Sequence, residues 1–389
     1  MTRPSHNDDA SFRAVVREWL ADNLNGEFAD LRGTGGPGRE HEAFEARVGW
    51  DKHLAAAGWT CLGWPLEHGG RGATMAQQVI FHEEYARADA PHRVNHLGEE
   101  LLGPTLIAFG TQAQQQRFLP RIKNLDELWC QGYSEPGAGS DLAAVSTTAT
   151  RVGDEWSITG QKVWTSLAHV ADWCFVLART DPGAKGHRGL SYLLVPIKQA
   201  GIDVRPIVQL TGTSEFNEIF FDDARTAADL VVGEVGDGWR VAMGTLGFER
   251  GVATLGQQVG FRRELDALIQ VARDNGAIDD PVVRDRLTHS HVRLEVMRAH
   301  ALRTLRNTGS GGTEASVAKL LWAHWHRDLG ELAMQVRGAA AVVEGDGGLD
   351  PWQRLFLFSR ADTIYGGSDE VQRNIIAERQ LGLPREARA

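Results

Sequence analysis

EWSITGQKVWTS, residues 155–166, decides the fold, because it opens a region patterned unlike the chain on either side. WCFVLART (173–180), LSYLLVPI (190–197), IDVRPI (202–207) and EIFFDDARTAADLVV (218–232) follow it, all short and β-rich. Turn-forming stretches such as DPGAKGHRG and TGTSEF separate them. Regular short strands with this punctuation predict a small β-barrel or packed sheets.

Before that region the chain reads as helix. SFRAVVREWLADNL spaces Phe12, Val15, Val16, Trp19, Leu20 and Leu24 at helical intervals. EAFEARVGWDKHLAAAGW repeats the pattern and stops near Gly58, and TMAQQVIFHEEYARADAP is closed by Pro91. Thr111 is placed to cap the Gln-rich helix after it. From 237 the helical period returns in long patterns over 239–276, 281–307 and 313–343, with Pro281 at a first helical position. A shorter pattern covers 353–364. Long helices on short loops predict an antiparallel four-helix bundle. The fold class is therefore mixed α and β in three parts: an N-terminal α-helical domain (1–125), a central small β-barrel domain (126–236) and a C-terminal four-helix bundle (237–389). Clefts where such parts meet are common places for cofactors.

The 389 residues suit two or three domains or one large multi-part unit. With 41 Lys+Arg against 51 Asp+Glu and no basic run, nucleic-acid binding is not expected. Local positive sites still permit an anionic ligand. Cys61, Cys130 and Cys174 are odd in number and widely spaced, against a disulfide scaffold or a cysteine-rich metal site. MTRPSHNDDASF lacks the apolar core of a secretory signal, and no apolar run is long enough for a membrane span, so a cytoplasmic protein is expected. His289 and His291, like His324 and His326, are two apart and share no helix face, and HExxH is absent, so no metal is expected. Walker, GxGxxG and GxSxG patterns are absent as well.

Four segments have the composition of a chemical site. WCQGYSEPGAGSDLA (129–143) packs glycines and hydroxyls into a turn where backbone N–H groups can grip polar atoms. In TGQKVWTSLAHVADW (159–173), Trp164 offers a flat ring beside the hydroxyls of Thr165 and Ser166. LGFERGVATLG (246–256) sets Glu249 and Arg250 in an apolar helical stretch, where a desolvated carboxylate can act as a base. IYGGSDEVQRNIIAERQLG (364–382) puts two glycines before Ser368, with Glu370 early in the next helix where it suits the dipole. Taken singly, a surface turn, a barrel tryptophan, a helix-surface ion pair and a bare helix cap explain the same four segments.

Together, GYSEPGAGSDLAA, GQKVWTS and IYGGSDEVQRNIIAERQLGLPRE resemble the signatures of the acyl-CoA dehydrogenase family, in order and over nearly the whole chain. The phrasing is most similar to actinobacterial members. The resemblance implies bound FAD in a homotetramer built as a dimer of dimers, an acyl-CoA or acyl-carrier-protein substrate, and an electron-transferring flavoprotein as acceptor. It implies that Gln131, Tyr133 and Ser134 lie along the flavin, with Ser134 on the ring's polar edge. Gly139 and Ser140 would approach the ribityl or substrate region. Trp164 would stack near the isoalloxazine, with Thr165 beside it and Ser166 reaching the N5 side. Arg273 and Gln335 resemble positions that hold the pyrophosphate and adenosine of a neighbouring subunit's FAD, although RDNGAID and QVRGAAAVV depart from the usual surroundings. Ser368 and Glu370 fall where the family contacts the adenosine half.

One departure has consequences for the chemistry. Common members carry the catalytic Glu immediately before the Gly-Thr of the C-terminal turn, where this chain has Gly366. A minority branch, resembling isovaleryl- and long-chain-type enzymes, places the base on the first helix of the C-terminal bundle, and FERG matches it with Glu249. The resemblance then implies that Glu249 removes the pro-R α-proton, that hydride passes to flavin N5, and that a trans-2-enoyl thioester results. Arg250 would support substrate or flavin, and the Gly366 peptide N–H would hydrogen-bond the thioester carbonyl. Two further readings stay open: an FAD-sharing partner subunit of a mixed oligomer, and a flavin oxidase or monooxygenase on the same scaffold.

Overall fold

The computed structural model describes residues 9–248, 253–306, 313–345 and 348–385. Among these, five helices come first: α1 (Asp9–Asn23), α2 (Phe44–Ala56), α3 (Met75–Arg87), α4 (Gly103–Phe109) and α5 (Gln112–Asn124). Eight strands follow: β1 (Trp129–Gly132), β2 (Thr148–Val152), β3 (Glu155–Ser166), β4 (Trp173–Arg179), β5 (Leu190–Pro196), β6 (Ile202–Ile207), β7 (Phe216–Ala227) and β8 (Val231–Val232). The last helices are α6 (Gly238–Phe248), α7 (Ala253–Asp274), α8 (Pro281–Arg306), α9 (Thr313–Arg337), α10 (Pro351–Asp362) and α11 (Asp369–Ile375). The helix–sheet–helix order expected from the sequence is the order observed. Two compact units result, Met1–Gln78 with Asp89–Gly251, and Val79–Ala88 with Val252–Ala389.

In the first unit the strands form one sheet in the order β6-β7-β3-β2-β4-β5-β8, with β1 parallel to β4. β4 is buried on both faces. Cys174, Val176 and Ala178 pack with Ile158, Ile219 and Phe221, while Phe175 and Leu177 pack with Leu106, Phe118 and Val241. This two-residue alternation between two cores is strand geometry, and it explains why WCFVLA lacks a polar face. Thr111 caps α5 in a reciprocal box with Gln114, as its position predicted. Gln114 Nε2 also donates to Asp229 O and Val231 O at 2.7 and 2.8 Å, fastening the helix to the sheet.

In the second unit, pairings along the helices fix their directions. Asn275 donates to Val336 O at 2.8 Å, and Phe261 lies 5.0 Å from Trp325, so α7 and α9 run the same way. Arg293 meets Asp328 at 2.6 Å and Arg286 meets Gln335, which sets α8 against α9. Arg337 with Asp350, and Lys319 with the Asp362 carbonyl, set α10 against α9. The product is the expected antiparallel bundle. α10 begins two residues before the 353–364 pattern, because Asp350 caps it with Pro351 in the first turn.

One buried ion pair fixes the sheet to the loop after β1. Lys162 of β3 is fully buried, and its Nζ donates to Tyr133 O at 3.0 Å, Leu177 O at 2.8 Å and Glu135 Oε1 at 2.8 Å. All three ammonium donors are thereby used. Glu135 also accepts from the Ser146 N–H and hydroxyl, both at 2.7 Å, and from Thr147 N–H at 2.9 Å. Burial by itself raises the Glu135 carboxyl, but Lys162 and these hydrogen bonds outweigh it and hold the group down at about 2. Burial pushes the Lys162 ammonium down, and Glu135 opposes that.

Lys162→Met leaves the Glu135 carboxylate buried without its partner, a loss of roughly 3–5 kcal/mol for pairs broken from one side. Urea unfolding at neutral pH should show it, and a variant as stable as wild type contradicts the assignment. The pair also predicts an acid limb. A carboxyl held at about 2 against its ordinary 4.5 contributes its full stabilisation above 4.5 and loses it as pH falls through 2. Unfolding midpoints across that window should drop in wild type and drop less in Glu135→Gln/Lys162→Met.

Candidate active site

The first two sequence segments meet in the first unit. Val163 N donates to Ser134 O at 2.9 Å, one residue from Trp164, and Lys162 holds the Tyr133 carbonyl. Glu135 and Ala138 exchange backbone hydrogen bonds at 3.0 Å and close the loop. At Gly137 and Gly139 nothing stands within 4 Å of where a Cβ would be, so this side of the loop is open. Gly139 and Ser140 are exposed and Ser134 is half-buried.

Trp164 sits in a β-bulge. Lys162 pairs with Ile219 and Thr165 with Asn217, so three steps along β3 match two along β7. Its φ is +61°, a left-handed conformation that is strained for a bulky residue. The indole is 58% exposed and touches the Phe216 ring edge-on, 6.2 Å away. Thr165 beside it is buried, and Asn217 Nδ2 donates to its carbonyl at 3.1 Å. Ser166 is half-buried.

These residues fit a flavin. Thr165 Oγ1 and Gln131 Nε2 are buried with no hydrogen-bond partner in the protein, a state that costs on the order of 1–3 kcal/mol per group. A ligand's polar edge at either would offer the missing partner. The exposed Trp164 ring offers a stacking face, and the open glycines leave room for close approach. The Tyr133 ring lies in the core, edge-on to Phe175 and Tyr192 at 5.9 and 6.1 Å.

The fourth segment lies in the second unit. Gly366 and Gly367 take φ of +61° and +90°, and Ser368 caps α11 by accepting from Val371 N at 3.5 Å. Glu370 is exposed, and hydrogen bonds from its own N–H and from Ser368 hold its carboxyl below the usual range. Arg273 and Gln335 are exposed, and Gln335 accepts from Arg286. Glu249 and Arg250 lie outside the described residues.

Sequence reading assigned no role to Glu135 or Lys162, although both stand inside quoted motifs. The available signal was a lysine at strand spacing from Ile158, two pleats along β3. Among the described residues, no group of three or more His, Cys, Asp or Glu side chains can hold a metal ion, and no helix is long and apolar enough to cross a membrane. All three cysteines are free and buried.

Comparison with known proteins shows the family. Models of the acyl-CoA dehydrogenase N-terminal, middle and C-terminal domains match residues 6–125, 130–224 and 236–381 in turn. Acyl-CoA dehydrogenase IpdE1 of Mycobacterium tuberculosis is 67% identical over 98% of this chain and 99% of its own length. Among solved structures, the Tcur3481–Tcur3483 steroid ACAD is 30% identical with a TM-score of 0.84, covering 99% of this chain and 100% of that one. The ChsE4–ChsE5 complex from Mycobacterium tuberculosis is 31% identical with a TM-score of 0.82, again over 99% and 100%. This chain belongs to the acyl-CoA dehydrogenase family of FAD-dependent oxidoreductases.

Proposed function

We propose that the protein converts an acyl-CoA thioester to its trans-2-enoyl form, with Glu249 as the base that removes the α-proton. The observation that carries this reading is the C-terminal turn. Ile364 to Ser368 contains no acid, and the carboxylates flanking it are engaged, Asp362 by His326 and Tyr365 and Asp369 by His324. This supports a base outside the turn, and Glu249 in FERG matches the position that the minority branch of the family uses.

The Gly366 peptide N–H donates to the thioester carbonyl and stabilises enolate character as the α-proton leaves. FAD, when bound, would supply the acceptor for the β-hydrogen as hydride. Gln131, Ser134, Thr165 and Ser166 would hydrogen-bond the cofactor's polar edge, and Trp164 would stack on it. Tyr133, Gly139 and Ser140 shape the loop, Ser140 toward the substrate, and Arg250 supports the thioester. Ser368 and Glu370 would contact the adenosine half, and Arg273 and Gln335 would hold the pyrophosphate and adenosine of a neighbouring subunit's FAD. The outward exposure of Arg273, Gln335 and Glu370 supports that role.

Gly366 leaves volume for a branched or bulky acyl group, and a steroid ACAD among the structural neighbours supports such a substrate. An electron-transferring flavoprotein is the acceptor, and the setting is lipid metabolism in the cytoplasm. The division at 126 and 237 into three parts belongs to the same reading, supported by the spans of the three family models. A second reading has an observation in its favour. Tcur3481–Tcur3483 and ChsE4–ChsE5 each join two differently named chains, which supports a mixed oligomer sharing FAD sites beside the homotetramer.

Anaerobic titration with a panel of acyl-CoAs, followed by flavin absorbance, tests the reaction. Wild type should bleach with at least one thioester and Glu249→Gln with none. Bleaching of the variant at the wild-type rate eliminates Glu249 as base. A chain that takes up no FAD even on reconstitution leaves the mixed oligomer as the account. Trp164→Ala should weaken FAD retention by about tenfold, the size of one aromatic stack, and equilibrium release of FAD fluorescence measures it.

A further inference from the structure

The second unit contains a largely buried charged cluster that joins α7, α9 and α10 beside the C-terminal turn. His326 of α9 is sandwiched between carboxylates from two other helices, with Nδ1 2.5 Å from Asp362 of α10 and Nε2 3.2 Å from Glu264 of α7. The Phe261 ring lies 4.8 Å from the imidazole, and the Trp325 ring stands parallel to it at 6.5 Å. The other Asp362 oxygen accepts from Tyr365 Oη at 2.6 Å. Lys319 Nζ donates to the Asp362 carbonyl at 2.6 Å, between the rings of Trp322 and Tyr365 at 4.1 and 4.4 Å. Two cations and two carboxylates thus balance one another.

We infer that His326 is a positioning residue for the acyl-CoA reaction, fixing through Asp362 and Tyr365 the glycine turn whose Gly366 N–H meets the thioester. The inference rests on the function proposed above. Tyr365 is the residue immediately before Gly366, so anchoring its hydroxyl sets the entry to the turn. The exit is gripped separately. Gln372 Nε2 donates to Gly366 O at 3.0 Å and Gly367 O at 3.4 Å, and a Cβ on Gly367 would stand 2.4 Å from that same nitrogen. A turn of two left-handed glycines has no side chain of its own to pack, so these tethers determine where its peptide N–H points. Broken from one side, a buried charge pair loses far more than a surface pair, which makes this anchor stiff. Burial disfavours the imidazolium, but Glu264 and Asp362 outweigh it and hold His326 up at about 10, so the anchor stays charged at neutral pH.

Tyr365→Phe keeps the ring and removes only the hydroxyl, and His326→Gln removes the charge. In the FAD-loaded holoenzyme, each should lower kcat about tenfold, less than the ~10²–10³ lost with a whole oxyanion donor. KM and FAD content should stay within about twofold, and the double variant should be no worse than the weaker single, as for two links of one chain. Hydrogen exchange at residues 364–368 should quicken in both variants, whether or not a substrate is known. Unchanged exchange, unchanged kcat, or losses that multiply in the double variant overturn the inference. If His326→Gln does not fold, Tyr365→Phe decides by the same readings. A wild type that no acyl-CoA reduces is instead a failure of the proposed function, and exchange in the turn then decides whether His326 holds it.

Discussion

The arrangement of the first unit depends on the contact between Lys162 and Glu135. Burying an ammonium and a carboxylate together is costly unless every lone pair and proton is used, and here both groups are saturated. The bonds reach four separate pieces of chain: the loop after β1, β3, β4, and the residues leading into β2. Each alone would be held by ordinary strand pairing and could shift by a residue. With the ammonium as a common centre, a shift in any one leaves a charge unpaired in the interior. Gly132 is required on steric grounds, since a Cβ there would lie 2.9 Å from Cys174 Sγ.

That anchor also accounts for Trp164. In a regular strand Lys162 and Trp164 would share a face and Thr165 would lie opposite. Lys162 and Thr165 are nevertheless both buried, while Trp164 is exposed. The extra residue of the bulge reverses the alternation between Lys162 and Thr165, and the left-handed φ at Trp164 is where the reversal is absorbed. Strain of this kind, about 1–3 kcal/mol, persists when both sides of it are fixed. Lys162 fixes one side, and Asn217, bonded to the Thr165 carbonyl, fixes the other.

Features governed by neighbours along the chain were legible in the sequence. The helix–sheet–helix order follows from periodicity, the α5 cap from Thr111, and the first turn of α8 from Pro281. Asp350 was passed over because the 353–364 pattern counts apolar spacing and not caps. The Glu135–Lys162 pair spans the interval between two motifs that read as separate, and no local pattern joins them. Trp164 was identified as a flat ring beside two hydroxyls, but its exposure depends on a register shift set by β7. The histidine pairs were read as sharing no helix face, and His324 and His326 do turn to different carboxylates, Asp369 and Asp362. That spacing argument spoke only to metal binding and gave no sign that both anchor the segment around the C-terminal turn. Glu249 came from resemblance, since a lone Glu-Arg in a helical stretch has a simpler explanation as a surface pair.

The two units solve one problem in the same way. Glycine-rich backbone that must present N–H groups to a ligand has few side chains to pack, and its conformational freedom is the largest of any sequence. Apolar packing cannot fix it, because packing acts on side chains and is non-directional. Charge-assisted hydrogen bonds from buried groups are directional and strong enough to do so. Lys162 and Glu135 hold the loop of 133–140, and His326 and Asp362 hold the entry to the turn of 364–368. In each case a buried carboxylate, Glu135 or Asp362, ties side chains to a segment that ends in exposed glycine backbone, at Gly137 and Gly139 or at Gly366. A charge at the surface would be screened and would pay side-chain entropy to stay in place, so it would fix nothing. The charges are therefore one layer beneath the surface that they organise.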